Sequence, residues 1–266
     1  MGYKVTTIDL DLGGANLHTC LGVPVPDKTL SDFLSKKVSN LEDLVTQTPI
    51  PNLQIISGAQ DELGVANIKQ MHKNKILSKL DSLKSDFVLF DLGAGTTFNT
   101  LDFFIHSSTG ILVVLPEPTS IENTYRFIKS IFHRKLKLIE ESLDVEPIIN
   151  RVLNAKMGSN KLTPYDLLLE LEVTHPEVGK KLISEIQNFR PKLIMNQVRT
   201  QADIDIGFSM KSICKKYFGI DLQYAGYLDY DPTVWQSVKK RKPLLVEFPH
   251  SKLASNFDKI VHRLLN

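Results

Sequence analysis

Six short runs of apolar residues, each bounded by turn-forming residues, dominate the hydrophobic pattern of the chain. They are rich in β-branched side chains and nearly continuous, which predicts strands covered on both faces in a parallel sheet. The predicted strands are VTTID (5–9), LQIIS (53–57), FVLFD (87–91), GILVVLP (110–116), KLIMNQV (192–198) and LQYAGYL (222–228). Helical patterns such as ANIKQMHKNKILSKLDSL and SIENTYRFIKSIFHRKLKLIEESL separate them. This alternation predicts a doubly wound α/β fold, with a mostly parallel sheet flanked by helices.

Residues 132–190 interrupt the alternation of strands and helices. The segment has helical periodicity and many charges, but it contains no strand candidate. Thr163-Pro164 and His175-Pro176 mark two helix starts, because threonine favours the N-cap and proline the first turn. The pattern fits a helical insertion within a single domain spanning 1–266. It fits an elongated crossover between two strands equally well.

Composition narrows the class of protein without indicating a function. A net charge of +2 is too small to indicate by itself that the protein binds nucleic acid or an acidic membrane. No apolar run approaches the ~18–20 residues of a membrane span. Cys20 and Cys214 form no CxxC pair, which favours reduced thiols in the cytoplasm. The histidines form no HxH or HExxH spacing and GxSxG is absent, so neither a transition-metal site nor a serine hydrolase is expected.

Polar residues follow three of the predicted strands, at the sheet edge where α/β folds bind ligands. Asp9 and Asp11 end the first strand and Asp91 ends the third, with glycine-containing loops after both. An acid at the tip of a buried strand suits Mg²⁺ binding through water. The amide of Asn196 can donate to and accept from a base edge. Taken singly, each residue is more often a cap or a turn former, but the combination in this order is much less expected by chance.

Several stretches together resemble the MinD/ParA superfamily of P-loop ATPases, and within it the MinD-like and FlhG-like proteins. They are IDLDLGGANLHTCLG, LQIISGAQDE, FVLFDLGAGTTFNTLDFF, ILVVLPEPTSIENTYRFIK, LIMNQV and YAGYLDYDPTVWQSVKKRKPLL. The resemblance runs from residue 2 to near the end of the chain, and 132–190 is its least typical part. It implies a P-loop NTPase-like fold with ATP and Mg²⁺ as cofactors.

The resemblance implies catalytic and metal-binding roles for the acids at the strand ends. Asp11 would orient the water that attacks the γ-phosphate, and Asp9 would support the Mg²⁺ shell. Asp91 would be the Walker B acid, so that Asp9 and Asp91 hold Mg²⁺ through water. The other residues implied in nucleotide binding are Gly13, Asn16, Gly93, Gly95, Asn196 and Asp231.

Two of these nucleotide-binding residues are implied to recognise the base. Asn196 would contact adenine, and Asp231 would lie in the loop that closes the base pocket. That loop reads Gly-x-x-Pro-x-Asp in MinD-like proteins, whereas here residues 226–231 read GYLDYD, without the proline. This loop therefore departs from the family's pattern at the proline.

The resemblance also implies a strand, a KGGxGK[ST] loop and a helix before IDLD, and the 266 residues contain no such loop. In that loop backbone N–H groups cradle phosphates, and its lysines neutralise charge. Two interpretations stay open. The protein begins upstream of Met1, which the Gly-x-Lys of MGYKV favours, or the short chain is a remnant that cannot hold nucleotide. In both, the missing strand should leave sheet strands with unpaired edges.

For a form that carries the loop, the resemblance implies an ATP-bound homodimer that hydrolysis releases from a partner. The implied role is positioning a division site, a flagellum or a chromosome, with flagellar control favoured, through a protein activator or cargo. The alternative, which the chain as given predicts directly, is a non-catalytic interaction protein that lacks ATP turnover.

Two C-terminal features bear on whether the protein binds a membrane or nucleic acid. One apolar helical face is expected to pack on the sheet, so membrane anchoring is not supported. The face consists of Phe257, Ile260, Val261, Leu264 and Leu265. The basic run Lys239–Lys242 could touch DNA or acidic lipid, although a solvated loop is favoured. Trp235 is expected to pack in the helix after Asp231. We expect a cytoplasmic protein, with a peripheral position at the inner membrane left open.

Overall fold

The computed structural model describes residues 2–11, 14–58, 70–143 and 163–265 of the chain, and the side chains of residues 70 and 140–143 are left out. The chain folds as two units. The first unit comprises residues 1–103 and 232–250, and the second comprises residues 104–231 and 251–266. The assignment of 1–266 to one domain stays a prediction.

The first unit is built on a four-stranded sheet in the order β2-β3-β1-β4. Its strands are β1 (Val5–Asp9), β2 (Thr46–Gln47), β3 (Leu53–Ile56) and β4 (Phe87–Asp91). β1 is parallel to both β3 and β4, as the continuous apolar runs predicted. β2 pairs with β3 in the antiparallel direction. β2 could not be predicted, because two residues are too few to show a hydrophobic period.

The first unit contains six helices among its described residues. They are α1 (Leu17–Cys20), α2 (Leu30–Leu34), α3 (Gln70–Leu77) and α4 (Phe98–His106), followed after the second unit by α9 (Thr233–Lys239) and α10 (Leu244–Glu247). Short 3₁₀ turns occupy Leu41–Leu44 and Leu80–Leu83. Ile8 and Ile56 from the sheet are buried with Phe33 and Phe103 in one core. The predicted helix over ANIKQMHKNKILSKLDSL is confirmed from residue 70, and its first residues lie outside the described ranges.

The edge strand β4 leaves apolar side chains exposed. Phe87 and Leu89 are 37% and 49% exposed, and Tyr3 packs edge-on against Phe87 at 5.2 Å between ring centroids. Among the described residues, β4 pairs with β1 alone. Every open sheet ends in edge strands, so the prediction that a missing strand leaves unpaired edges stays a prediction.

The second unit contains a three-stranded parallel sheet in the order β5-β6-β7. Its strands are β5 (Ile111–Val114), β6 (Lys192–Val198) and β7 (Gln223–Asp229). Its helices are α5 (Pro118–Leu143), α6 (Pro164–Thr174), α7 (Pro176–Asn188), α8 (Gln201–Phe218) and α11 (Lys252–Leu265). β5 is an edge strand, and Val113 in its middle is 60% exposed. All six predicted strands are therefore confirmed, within a doubly wound arrangement of parallel strands and helices.

The described part of the predicted insertion at 132–190 is helical. Thr163 caps α6, because its hydroxyl accepts a hydrogen bond from the Asp166 amide, and the Asp166 carboxylate accepts one from the Thr163 amide. Pro164 is in the first turn, and α7 begins at Pro176 after His175, so both helix starts are confirmed. Residues 144–162 lie outside the described ranges, and the status of the segment as an insertion stays a prediction.

Gly179 permits the close approach of α7 to α6. A Cβ atom at this position would lie 2.2 Å from the Glu172 Cα, a distance that the backbone of α6 would have to relieve by moving. We expect Gly179→Ala to lower the free energy of unfolding by about 1–3 kcal/mol, the usual cost of overpacking. Urea denaturation followed by circular dichroism measures this. Ser184→Ala on the same helix is the control, and an equal loss in both variants would contradict the steric explanation.

The apolar face of α11 packs on the second sheet, as predicted. Ile260 is buried, and its side chain lies against Gly226 of β7. Asn256 donates to Asp229 at 2.8 Å, and Arg263 donates to the Ala225 carbonyl at 3.1 Å. Leu265 at the end of the face is 41% exposed. Among the described helices, none combines the length and apolar character that crossing a membrane requires.

Candidate functional site

The carboxyl ends of β1 and β4 bring two of the predicted acids together. Asp9 and Asp91 are register partners in the parallel pair, each the last residue of its strand. The Leu10 amide extends the pairing by donating to the Asp91 carbonyl at 2.8 Å. Parallel strands end at one edge of a sheet, so two acids that are 82 residues apart in sequence become neighbours.

Asp9 is fully buried and is held by the backbone around it. One carboxylate oxygen accepts from the Asp11 amide at 3.2 Å, and the other accepts from the Leu17 amide at 3.1 Å. Burial raises the pKa of Asp9, and the charges of Asp91 and Asp11 raise it further, while the two amides oppose the shift. Asp9 therefore fixes the loop between β1 and α1 in addition to any role toward a cation.

Asp11 lies in a narrow space between two loops. A Cβ atom at Gly93 would be 2.8 Å from one Asp11 carboxylate oxygen, and one at Gly14 would be 3.2 Å from the other. Glycine at both positions therefore leaves room for this carboxylate. The geometry places the predicted water-orienting acid against the loop that follows Asp91.

Asp91 is more exposed than Asp9. Desolvation at the strand end raises its pKa, and the nearby charge of Asp11 adds to the shift. Three carboxylates of like charge are thus close enough at one sheet edge for their charges to raise one another's proton affinity, as the pKa shifts of Asp9 and Asp91 show.

The structure describes two further predicted residues of these two loops, Asn16 and Gly95. Asn16 is exposed at the start of α1, where its carbonyl accepts from the Thr19 amide at 3.0 Å. Gly95 adopts a φ of +110°, which an L side chain rarely takes, so the loop after β4 needs glycine there. Gly13 lies outside the described residues.

The second unit holds the residues predicted to recognise a base. Asn196 precedes a register break at the end of β6, and its side-chain oxygen accepts from the Gln197 amide at 2.9 Å. Asp231 follows β7 and is half-buried. The Arg199 guanidinium stacks on the Tyr230 ring at 3.9 Å from its centroid. Sequence reasoning missed this stack, although both residues directly follow the strands that it had singled out.

The acids of the first unit fit a hydrated magnesium ion. Among the described residues, no three His, Cys, Asp or Glu side chains are placed to share a metal ion. Mg²⁺ needs fewer protein ligands, because it keeps several waters and binds one or two carboxylates together with substrate phosphates. Since backbone amides engage both oxygens of Asp9, the exposed Asp91 is the better placed carboxylate. The 266 residues contain no Gly-Lys-Ser or Gly-Lys-Thr sequence.

Replacing Asp91 with asparagine is expected to stabilise the protein at neutral pH by less than about 1 kcal/mol, because the carboxylate is exposed and solvent screens its charge. Asp9 and Asp91 have folded-state pKa values above the ordinary 3.8, so the folded state binds more protons than the unfolded chain over the window above 3.8. Stability therefore falls as pH rises through that window.

Urea midpoints of Asp91→Asn and wild type at several pH values measure this effect. The gain should be present at pH 7 and should vanish below the ordinary carboxyl pKa. Asp27→Asn, an exposed loop position of the same unit, is the matched control. A gain that is independent of pH would contradict the electrostatic explanation.

Comparison with known proteins finds homologues along nearly the whole chain. The antiactivator FleN of Pseudomonas aeruginosa is 22% identical over 266 residues, which cover 99% of this chain and 76% of FleN. The septum site-determining protein MinD of Helicobacter pylori is 23% identical, covering 85% of this chain and 83% of MinD. The flagellum site-determining protein YlxH of the same organism is 30% identical over 135 residues, 48% of this chain and 43% of YlxH. No protein-family model matches the chain.

Solved structures with the same fold cover nearly all of the chain as well. The septum site-determining protein MinD of Pyrococcus horikoshii, complexed with Mg-ADP, superposes with a TM-score of 0.60 at 21% identity. It covers 99% of this chain and 84% of that one. The MinD of Aquifex aeolicus in its complex with MinC gives a TM-score of 0.61 at 18% identity, again with 99% and 84% coverage. These structures confirm the predicted fold class.

Proposed function

We propose that the chain belongs to the MinD/ParA superfamily and that it is a spatial-positioning protein whose cycle is driven by ATP. The observation that carries this proposal is the cluster of Asp9, Asp11 and Asp91 where β1 and β4 end. Its relatives MinD and YlxH are named for determining a septum site and a flagellum site. We propose control of flagella over division or chromosome partition, and the name of YlxH supports this choice.

The residues of the proposed site have separate roles toward water, Mg²⁺ and the base. Asp11, which lies beside Gly93, would orient the attacking water, and Asp91 together with Asp9 would hold Mg²⁺ through water. Bound Mg²⁺ would neutralise the charge that builds up on the phosphates. In the second unit, Asn196 and Asp231 are the candidates for contacting adenine.

The proposed cycle runs between a monomer and an ATP-bound homodimer that engages a protein activator or cargo. MinD of Aquifex aeolicus forms a complex with MinC, which supports a protein partner for this chain. We propose a cytoplasmic protein, because the two cysteines, Cys20 and Cys214, are both free thiols.

A second candidate function is a non-catalytic interaction protein. The absence of a Gly-Lys-Ser/Thr loop from the 266 residues favours it, because that loop supplies the amides and lysines that hold phosphates. In this case the strand-end loops would serve as a binding surface for another protein, and nucleotide would have no effect on it.

One experiment separates the two functions. ATP turnover, by phosphate release, and native mass with and without Mg-ATP are measured on the 266-residue chain. The same measurements are made on the product of any longer in-frame reading frame at the locus. Turnover with nucleotide-dependent dimers in either form supports the ATPase. No turnover and no mass change in both forms would support the interaction protein. Flagellar counts after gene deletion then test the cellular role.

A further inference from the structure

The segment 232–250 of the first unit exposes an unusual number of large apolar side chains. Trp235 is 61% exposed, and Val238, one turn further along α9, is 57% exposed. Val234, Leu245 and Val246 are 41%, 46% and 55% exposed. The sequence predicted that Trp235 would pack, and the structure shows that its ring is mostly in solvent. We call these five side chains the tryptophan patch.

Positive charge is concentrated next to the tryptophan patch. Lys239–Lys242 supply four cations, and Glu247 is the one acid in the whole segment 232–250. This segment is therefore more positive than the entire chain, whose net charge is +2. The Lys239 ammonium lies 4.0 Å from the centre of the Trp235 ring, so charge and aromatic surface are adjacent.

Internal contacts fix α9 and α10 in this exposed arrangement. Ser237 is buried, and its hydroxyl donates to the Val234 carbonyl at 2.7 Å. Lys240 forms an ion pair with Glu247, which joins the two helices across the basic turn. The exposed apolar side chains of α9 and α10 are therefore held in a defined arrangement.

We propose that the tryptophan patch and the basic turn dock reversibly on the surface of an anionic phospholipid bilayer. Indole rings favour the membrane–water interface, where an apolar body and an N–H group are both accommodated. Lysine and arginine are attracted to the negative surface potential of anionic lipids. A bilayer also accepts projecting side chains such as Trp235 without needing a groove of matching shape.

This docking surface is separate from the C-terminal helix. The apolar face of α11 packs on β7 in the second unit, so Ile260 is not available to lipid. The docking proposal needs neither nucleotide nor hydrolysis, and it can fail or succeed independently of the proposed ATPase.

The single tryptophan of the chain makes the test direct. The purified protein is titrated with vesicles of phosphatidylcholine alone and with vesicles that also contain phosphatidylglycerol. We expect a blue shift of tryptophan emission with the anionic vesicles only. Brominated acyl chains should quench that emission, which would place the Trp235 ring in the interface.

Variants then assign the binding to this surface by vesicle co-sedimentation without nucleotide. Reversing two charges with Lys239→Glu and Arg241→Glu should weaken binding by more than about tenfold, given the attraction of each basic residue to anionic lipid. Val238→Asp should also weaken it. The matched control is Phe208→Ala with Lys211→Glu on α8, where Phe208 is 56% exposed, and it should bind like wild type.

Three outcomes would overturn the proposal. The first is no emission shift on anionic vesicles. The second is equal loss in the charge-reversal variant and the α8 control. The third is an emission shift with duplex DNA or an acidic protein but none with vesicles, which would assign the surface to that partner instead. Circular dichroism of each variant verifies folding, and the changed residues are all exposed, so the fold should be kept.

Discussion

Replacing Lys73 with methionine is expected to lower the free energy of unfolding by about 3–5 kcal/mol, because it leaves a buried carboxylate without its counter-charge. Lys73 on α3 and Asp102 on α4 form an ion pair, and their side chains are only 5% and 3% exposed. Such a loss is a large part of the 5–15 kcal/mol that typically stabilises a domain. Urea denaturation measures it, and hydrogen exchange of peptides from β1 and β4 locates it in the first unit.

Two control variants separate charge burial from simple loss of contact. The double variant Lys73→Met with Asp102→Leu removes both charges and should recover most of the lost stability, because apolar replacements of a buried pair are often tolerated. Arg126→Met breaks the exposed pair with Glu122, whose side chains are 68% and 61% exposed, and should cost less than about 0.5 kcal/mol. If Lys73→Met were no worse than Arg126→Met, the desolvation argument would be wrong.

The sequence predicted the parallel strands well, because buried strands have a strong local signal. Each is a continuous apolar run, and β1 and β4 end in acids where the chain leaves the sheet. The helix starts at Thr163 and His175 were predictable for the same reason, since capping depends on residues close in sequence. The acids of the candidate site could therefore be picked out before their pairing was known.

Features that depend on distant contacts could not be predicted in this way. Lys73 lies among other polar residues of a helical pattern, and nothing local distinguishes it from a solvated lysine. The exposure of Trp235 likewise depends on which side of α9 packs against the rest of the first unit, and the local sequence does not show this. Gly93 was singled out by resemblance as a loop residue, but only the structure shows that it makes room for Asp11.

The contact between Gly93 and Asp11 leads to a prediction about catalysis. In a form that turns over ATP, Asp11→Asn should lower the rate by about 10²–10⁴, the usual contribution of a positioned acid or base. Gly93→Ala removes no functional group, yet its Cβ would lie 2.8 Å from the Asp11 carboxylate and must displace it. Since misplacement by about 1 Å can cost about 10²-fold, we expect Gly93→Ala to lower turnover to a similar extent.

Phosphate release under saturating Mg-ATP measures both variants, with Asp27→Asn as the control that should match wild type. Nucleotide affinity is measured separately, because a displaced water-orienting acid should lower the rate far more than the affinity. Asp11→Asn combined with Gly93→Ala should be no slower than Asp11→Asn alone, since both changes act through one carboxylate. Additive losses in the double variant would mean that Gly93 acts on something other than Asp11. Turnover within threefold of wild type in Asp11→Asn would remove Asp11 from the catalytic role and leave Asp91 as the acid to examine.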